Sequence, residues 1–300
     1  MASAVNPHFS SVVTNDGMSL YVARYQPEVK PPAVIQIVHG FGESVCHYDE
    51  MAVYFAQNGF AVVMHDQRGH GEMPGLSASQ RKKARGVAEF ALLLQDIKTI
   101  RMEISGWYKD TPVILLGHSM GGLIAAKYLL DFSQGEYTKA VFETPWLRLF
   151  KPLPTAAVSA IKLAGKLSGK IAINTGLDLN AISRDKGKVN TLRTDGIYHT
   201  RISLRLFGEI TEAGKEVMNN PQKITIPALL LNAGRDRIVC PEAIRTFCDG
   251  SEENFRYIEY EDGFHNLHSD IIRGKVLEDM VGFCREYTKD GDKNDPSFRA

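Results

Sequence analysis

The residues most able to do chemistry are Gly117-His118-Ser119-Met120-Gly121. They match Gly-x-Ser-x-Gly, directly after a short apolar run and directly before a helical pattern. A sharp turn there leaves a serine exposed at the end of a strand. The flanking glycines remove side chains that would collide. The following helix aims its N-terminal dipoles at the serine, favouring developing negative charge.

A serine hydroxyl is a weak nucleophile and needs a base. Two later segments supply an acid and then a histidine. Ala233-Gly234-Arg235-Asp236 follows the apolar run Ala228–Asn232, and Asp262-Gly263-Phe264-His265 follows Phe255–Tyr260. The expected roles are Ser119 as nucleophile, His265 as base and then acid, and Asp236 as its orienting carboxylate. Two rivals stay open. His268, three residues on, is an alternative base, and Glu143 is an alternative acid. An oxyanion needs two backbone N–H groups aimed at one point. Met120, after the serine, offers one. Phe41 offers the other, between glycines in His39-Gly40-Phe41-Gly42-Glu43.

These loops need a scaffold that brings strand ends to one edge. The chain alternates strands and helices. Val12–Val13 and Leu20–Ala23 flank an Asp16-Gly17 turn and read as a hairpin. Ala33–Val38, Phe60–Met64, Pro112–Leu116, Lys139–Glu143, Ala228–Asn232 and Phe255–Tyr260 read as strands, the most continuously apolar of them buried on both faces. Tyr48–Gln57, Val87–Ile104, Leu123–Asp131, Glu242–Cys248 and Ile271–Tyr287 read as helices. The expected fold class is α/β, a mostly parallel sheet flanked by helices, with an inserted helical cap.

The cap is expected at residues 146–224, where strand-like runs stop and helical pieces such as Ala156–Leu167 begin. Residues 1–145 and 225–288 form the two parts of the core, and 289–300 a polar tail. The cap holds thirteen Lys/Arg against six Asp/Glu, a net of +7. Residues 147–170 carry five basic residues and no acid. Such a surface suits a solvated face, or contact with anionic lipid at a membrane surface. Arg81-Lys82-Lys83-Ala84-Arg85 reads as a solvated basic patch.

Composition excludes several classes. The 300 residues hold 35 Lys+Arg and 35 Asp+Glu, so the net charge is zero. A nucleic-acid binder would show a basic excess. At 44% apolar and 23% charged residues the chain is neither disordered nor fibrous. No apolar run nears the roughly 18 residues of a membrane span. Met1–Pro7 lacks the basic and apolar regions of a secretory leader. Cys46, Cys240, Cys248 and Cys284 show no metal-ligand spacing. Four free thiols and a cytoplasmic location are expected. His65-Asp66-Gln67-Arg68-Gly69-His70-Gly71 has metal-ligating types but reads as a loop packed at the site's rim.

Together, His39–Glu43, His65–Gly71 and Leu116–Gly122 resemble the α/β-hydrolases of the monoacylglycerol lipase and lysophospholipase group. Gly234–Val239 and Gly263-Phe264-His265 resemble that group's acid and histidine loops. Within the cap only Ile182-Ser183-Arg184-Asp185-Lys186 is similar. Where the group has a serine after its Arg-Gly-His-Gly turn, this chain has Glu72-Met73-Pro74. The resemblance implies a helical cap over an acyl tunnel and hydrolysis of a single-chain lipid ester without cofactor or metal. A small-ester esterase, amidase or aminopeptidase on the same scaffold is the alternative, with Asp178, Asp185 or Asp195 available to hold an aminopeptidase substrate's ammonium. A non-catalytic hydrolase-like receptor is a more remote one.

Overall fold

A computed structural model describes residues 5–132, 134–251 and 253–286. The hairpin is β1 (His8–Val13) and β2 (Ser19–Tyr25), turned through Gly17 at φ +80°. Then come β3 (Val34–Val38), α1 (Asp49–Gln57), β4 (Ala61–His65), α2 (Ala78–Ala84), α3 (Phe90–Trp107), β5 (Val113–His118), α4 (Met120–Asp131) and β6 (Lys139–Glu143). The inserted stretch carries α5 (Thr155–Leu167), β7 (Ala172–Asn174), α6 (Lys186–Thr194), β8 (Arg201–Ser203) and α7 (Leu204–Met218). The chain closes with β9 (Ala228–Ala233), α8 (Pro241–Asp249), β10 (Phe255–Tyr260) and α9 (Arg273–Glu286). The expected tail lies outside the described residues.

Eight strands form one sheet in the order β1-β2-β4-β3-β5-β6-β9-β10. The pairs β1–β2 and β2–β4 are antiparallel, and every other pair is parallel. From β3 the chain moves to β4 on one side, then crosses back to β5 on the other. Such a reversal opens a crevice at the carboxyl ends of the strands. The loop after β3 and the turn after β5 flank that crevice.

Alternation along the central strands feeds two cores. Val34, Val38, Val113 and Leu115 point to one face, where α3, α4 and α7 pack. Ile35, Ile37, Ile114 and Leu116 point to the other, covered by α1 and α9. Both faces are buried, which explains the unbroken apolar runs. Helix α7 buries Leu206, Ile210, Ala213 and Val217 in the same cluster as α3 and α4.

Three elements were not legible. The inserted stretch, expected to be helical, also holds β7 paired antiparallel to β8, with Ile173 opposite Ile202. Each strand has only three residues, too few for a periodic signal. Helix α2 buries no residue and is held by a Ser77–Gln80 capping box.

A charged clamp ties three segments together. Arg68, after β4, donates from Nε and Nη2 to the two carboxylate oxygens of Asp96 on α3, at 2.7 and 2.8 Å. Its Nη2 also reaches Asp16 in the hairpin turn at 2.8 Å. Asp96 is fully buried. Removing one partner of a buried pair leaves the other charge uncompensated. Asp96→Ala is therefore expected to cost about 3 kcal/mol, the low end for such a loss because Asp16 still holds Arg68. Urea denaturation measures it.

Candidate active site

Ser119 sits between β5 and α4 at φ +52° and ψ −116°, a conformation that strains any residue with a side chain. Its neighbours show why the turn needs glycine. A Cβ on Gly121 would lie 2.0 Å from the Val38 carbonyl oxygen, and one on Gly117 would lie 2.4 Å from that of Gly121. The Ser119 amide donates to the Glu143 carbonyl at 3.0 Å, and its carbonyl accepts from the Trp146 amide at 2.9 Å. The turn is thus fixed from β6 as well as from its own strand.

The later loops meet it. Ser119 Oγ donates to His265 Nε2 at 2.8 Å, and His265 Nδ1 donates to Asp236 Oδ2 at 2.6 Å. The other oxygen of Asp236 accepts from the amides of Ile238 and Val239, at 2.7 and 3.0 Å. That leaves the carboxylate one orientation, and the imidazole one tautomer. All three side chains are buried. Of the residues singled out from sequence, these three are brought into one hydrogen-bonded chain.

The two rivals pair with each other instead. Glu143 accepts from the backbone N–H of His268 and from its Nδ1, at 2.9 Å each. Burial opposes charge on both, yet the Glu143 carboxylate outweighs it and raises His268 above its ordinary value. The same interaction, against the same burial, lowers Glu143. His118, Glu143 and His268 are the one set of metal-ligating types the described residues gather, within 4.8 Å of one another. That carboxylate is already spent on His268.

Met120 opens the first turn of α4, where the helix ladder supplies its N–H no acceptor. The Phe41 amide makes no backbone hydrogen bond among the described residues. Its turn is shaped around it. His39 Nδ1 donates to the Gly40 carbonyl at 2.8 Å, while His39 Nε2 accepts from the Gln67 amide at 2.9 Å. Gly42 has φ +78°, and a Cβ there would lie 2.1 Å from the His199 carbonyl oxygen. The loop from His65 to Gly71 packs behind this turn. Asp66 accepts from the Val45 and Glu72 amides at 2.7 Å each, and burial pushes its carboxyl up to about 6.

Several positioning residues escaped the sequence reading. Thr144, at φ +42°, donates from Oγ1 to the His265 carbonyl at 2.9 Å. Asp270 accepts from the Phe264 amide at 3.0 Å and from Arg184 Nε at 2.9 Å. The Asn266 amide donates to the Ile182 carbonyl at 2.9 Å. The Ile182–Lys186 segment therefore docks the inserted stretch onto the histidine loop. Its similarity to other hydrolases was the one available signal.

A cavity of about 860 Å³ opens onto Ser119 and His265. Its walls include Trp146, Leu149, Ile161, Ile202, Phe207 and Ile238. Two acids line it. Glu43 is buried and bonded to Tyr48, the Gly40 amide and Asn266. Asp178 accepts from the Asn180 amide. The other acids considered for a substrate ammonium are engaged: Asp185 caps α6, and Asp195 pairs with His47.

A family model described as "Serine aminopeptidase, S33" (Hydrolase_4) matches residues 29–271. The chain belongs to this family. Among its relatives, the monoglyceride lipase of Rattus norvegicus is 28% identical over 285 residues, covering 91% of this chain and 88% of that protein. The monoacylglycerol lipase of Mycolicibacterium smegmatis is 26% identical over 269 residues, covering 89% and 93%. An uncharacterized abhydrolase domain-containing protein of Dictyostelium discoideum is 27% identical over 295 residues, and there the match spans 30% of the relative's length. A soluble variant of the Saccharomyces cerevisiae monoglyceride lipase, solved with a substrate analog, has a TM-score of 0.82 at 21% identity, covering 97% of this chain and 98% of that one. The Paleococcus ferrophilus monoacylglycerol lipase gives 0.79 at 24%, covering 89% and 98%. The fold of this S33 member is that of α/β-hydrolases.

Burial lowers His39 and His199, beside the Phe41 turn, to about 4 from 6.5. Between those values the unfolded chain binds protons that the native state refuses. The contribution of these two histidines to stability is therefore full above pH 6.5 and falls as pH drops toward 4. Urea unfolding across that range should show the fall, and His39→Gln should reduce it.

Proposed function

We propose that the protein is a serine hydrolase that cleaves the carboxylic ester of a single-chain lipid, a monoacylglycerol or lysophospholipid, through an acyl-enzyme. One observation carries the reading: the Ser119–His265–Asp236 chain opens onto a large apolar cavity. The named activities of the lipase relatives agree with it. The engaged cap acids speak against an ammonium subsite and so against aminopeptidase substrates.

Ser119 Oγ attacks the ester carbonyl as His265 Nε2 takes its proton, and Asp236 stabilises the imidazolium. The Phe41 and Met120 amides hold the tetrahedral oxyanion, each worth about 10²–10³ in rate. His265 returns the proton to the leaving alcohol, then draws one from the water that releases the fatty acid. Residues 146–224 act as the cap over the acyl chain. Burial contributes about 0.8 kcal/mol per CH₂.

The cap's outer surface suits a peripheral contact with anionic membranes. Leu163 and Leu167 of α5 are 63% and 82% exposed, and Lys166 and Lys170 lie within a few residues. Among the described residues no helix is long and apolar enough to cross a membrane. We place the enzyme in the cytoplasm, at membrane surfaces. Liposome association should weaken with salt, and binding that ignores salt would argue against this contact.

A fluorophosphonate probe should label Ser119, and Ser119→Ala should lower ester turnover by about 10⁴-fold or more while leaving the fold intact. Mass spectrometry and circular dichroism check both. Along a monoacylglycerol series, kcat/KM should rise by up to roughly fourfold per carbon until the cavity is filled. A flat series would remove the acyl-tunnel reading.

A further inference from the structure

The segment after β6 and the loop after β9 run antiparallel at the cavity wall. Leu149 bridges Val239, the Cys240 amide donates to the Arg148 carbonyl at 2.9 Å, and the Phe150 amide donates to the Ile238 carbonyl at 3.0 Å. The same register carries Lys151 toward Arg237. Both line the cavity that holds Ser119 and His265. Like charges facing each other across paired strands repel.

Neighbouring cations on these two segments have partners. Arg235 pairs with Asp262 at 2.7 Å, and Arg148 donates to Cys240 Sγ at 2.9 Å. Lys151 and Arg237 have no carboxylate partner among the described residues. Nor do the acids of the cavity compensate them. Glu43 is enclosed in the hydrogen bonds given above, and Asp178 caps the turn at residues 179–181. Two cations without a carboxylate partner therefore line the cavity that holds the reacting groups, alongside Leu149, Phe150 and Ile238.

We propose that Lys151 and Arg237 form an anion subsite for the phosphate of the substrate's head group, so that the preferred ester is a single-chain lipid bearing a phosphate. The inference rests on the lipid-ester reading and narrows it. A phosphate between the two side chains relieves their repulsion, and Arg237 offers a planar fork that a phosphate accepts at two oxygens. The phosphoester bond stays intact. The carboxylic C–O bond breaks, water supplies hydroxyl to the acyl group and a proton to the departing glycerol oxygen, and a glycerophosphate-type alcohol leaves.

The test compares kcat/KM for medium-chain lysophosphatidic acid with that for monoacylglycerol of the same chain. Both are presented below their critical micelle concentrations, so that attraction to a lipid surface plays no part. The wild-type protein should favour the phosphate-bearing ester. Lys151→Gln and Arg237→Gln, each at an exposed position, should lower the ratio about tenfold or more. Lys82→Gln removes an equal charge from α2, outside the cavity, and should leave the ratio unchanged. A wild-type preference for the neutral ester, or a ratio that neither cavity variant moves, would overturn the subsite while leaving the lipid-ester reading in place. Inhibition of monoacylglycerol turnover by inorganic phosphate, as strong as that by the lysophosphatidic acid, would make it a free-phosphate site and overturn the head-group assignment. Absence of turnover of either lipid, with Ser119 still labelled by a fluorophosphonate, would overturn the functional reading and the subsite together.

Discussion

The strained backbone of Ser119 is the constraint on which the other features depend. A side chain at φ +52° is held there only if its surroundings permit no alternative. The close approach of the Val38 carbonyl to Gly121 does part of this, and the bonds to Glu143 and Trp146 do the rest. Once fixed, the turn sets where Oγ stands, where α4 begins and which way the Met120 N–H points. The imidazole has one place left to be: Asp236 holds its Nδ1, and Thr144 holds the backbone carbonyl of the same residue.

The topology makes this affordable. Parallel strands present all their carboxyl ends at one edge, so the turns after β3, β5, β6, β9 and β10 converge without long excursions. Core burial on both faces of the sheet supplies the rigidity that the turn needs. Behind the reacting residues lies a second buried pair, Glu143 and His268, which bond to each other instead of joining the Ser119 chain.

Much of this was legible because it is local. Ala33–Val38 and Pro112–Leu116 announce buried strands by their unbroken apolar runs, and glycines beside Ser119 announce the turn. The order serine, acid, histidine follows from strand sequence. What escaped is long-range. Three residues of β7 mean nothing until β8, some thirty positions on, pairs with them. Thr144 and Asp270 look like ordinary turn residues, and only the folded chain brings them to the backbone around His265. The choice between His265 and His268 was open in sequence, since three residues separate them. The structure distinguishes the two by their partners: one faces Ser119, the other Glu143.

Helix α7 begins in the inserted stretch and ends buried against α3 and α4. It therefore belongs to the sheet's packing as much as to the covering over the cavity. Any rigid-body swing of that covering has to pivot before Leu204, because movement of α7 would tear open the interior. A chimera that borrows another hydrolase's insert inherits the same junctions: the graft has to begin beyond Phe150, since Trp146 bonds to Ser119 and residues 148–150 pair with the loop after β9, and the helix from Leu204 has to stay with its host.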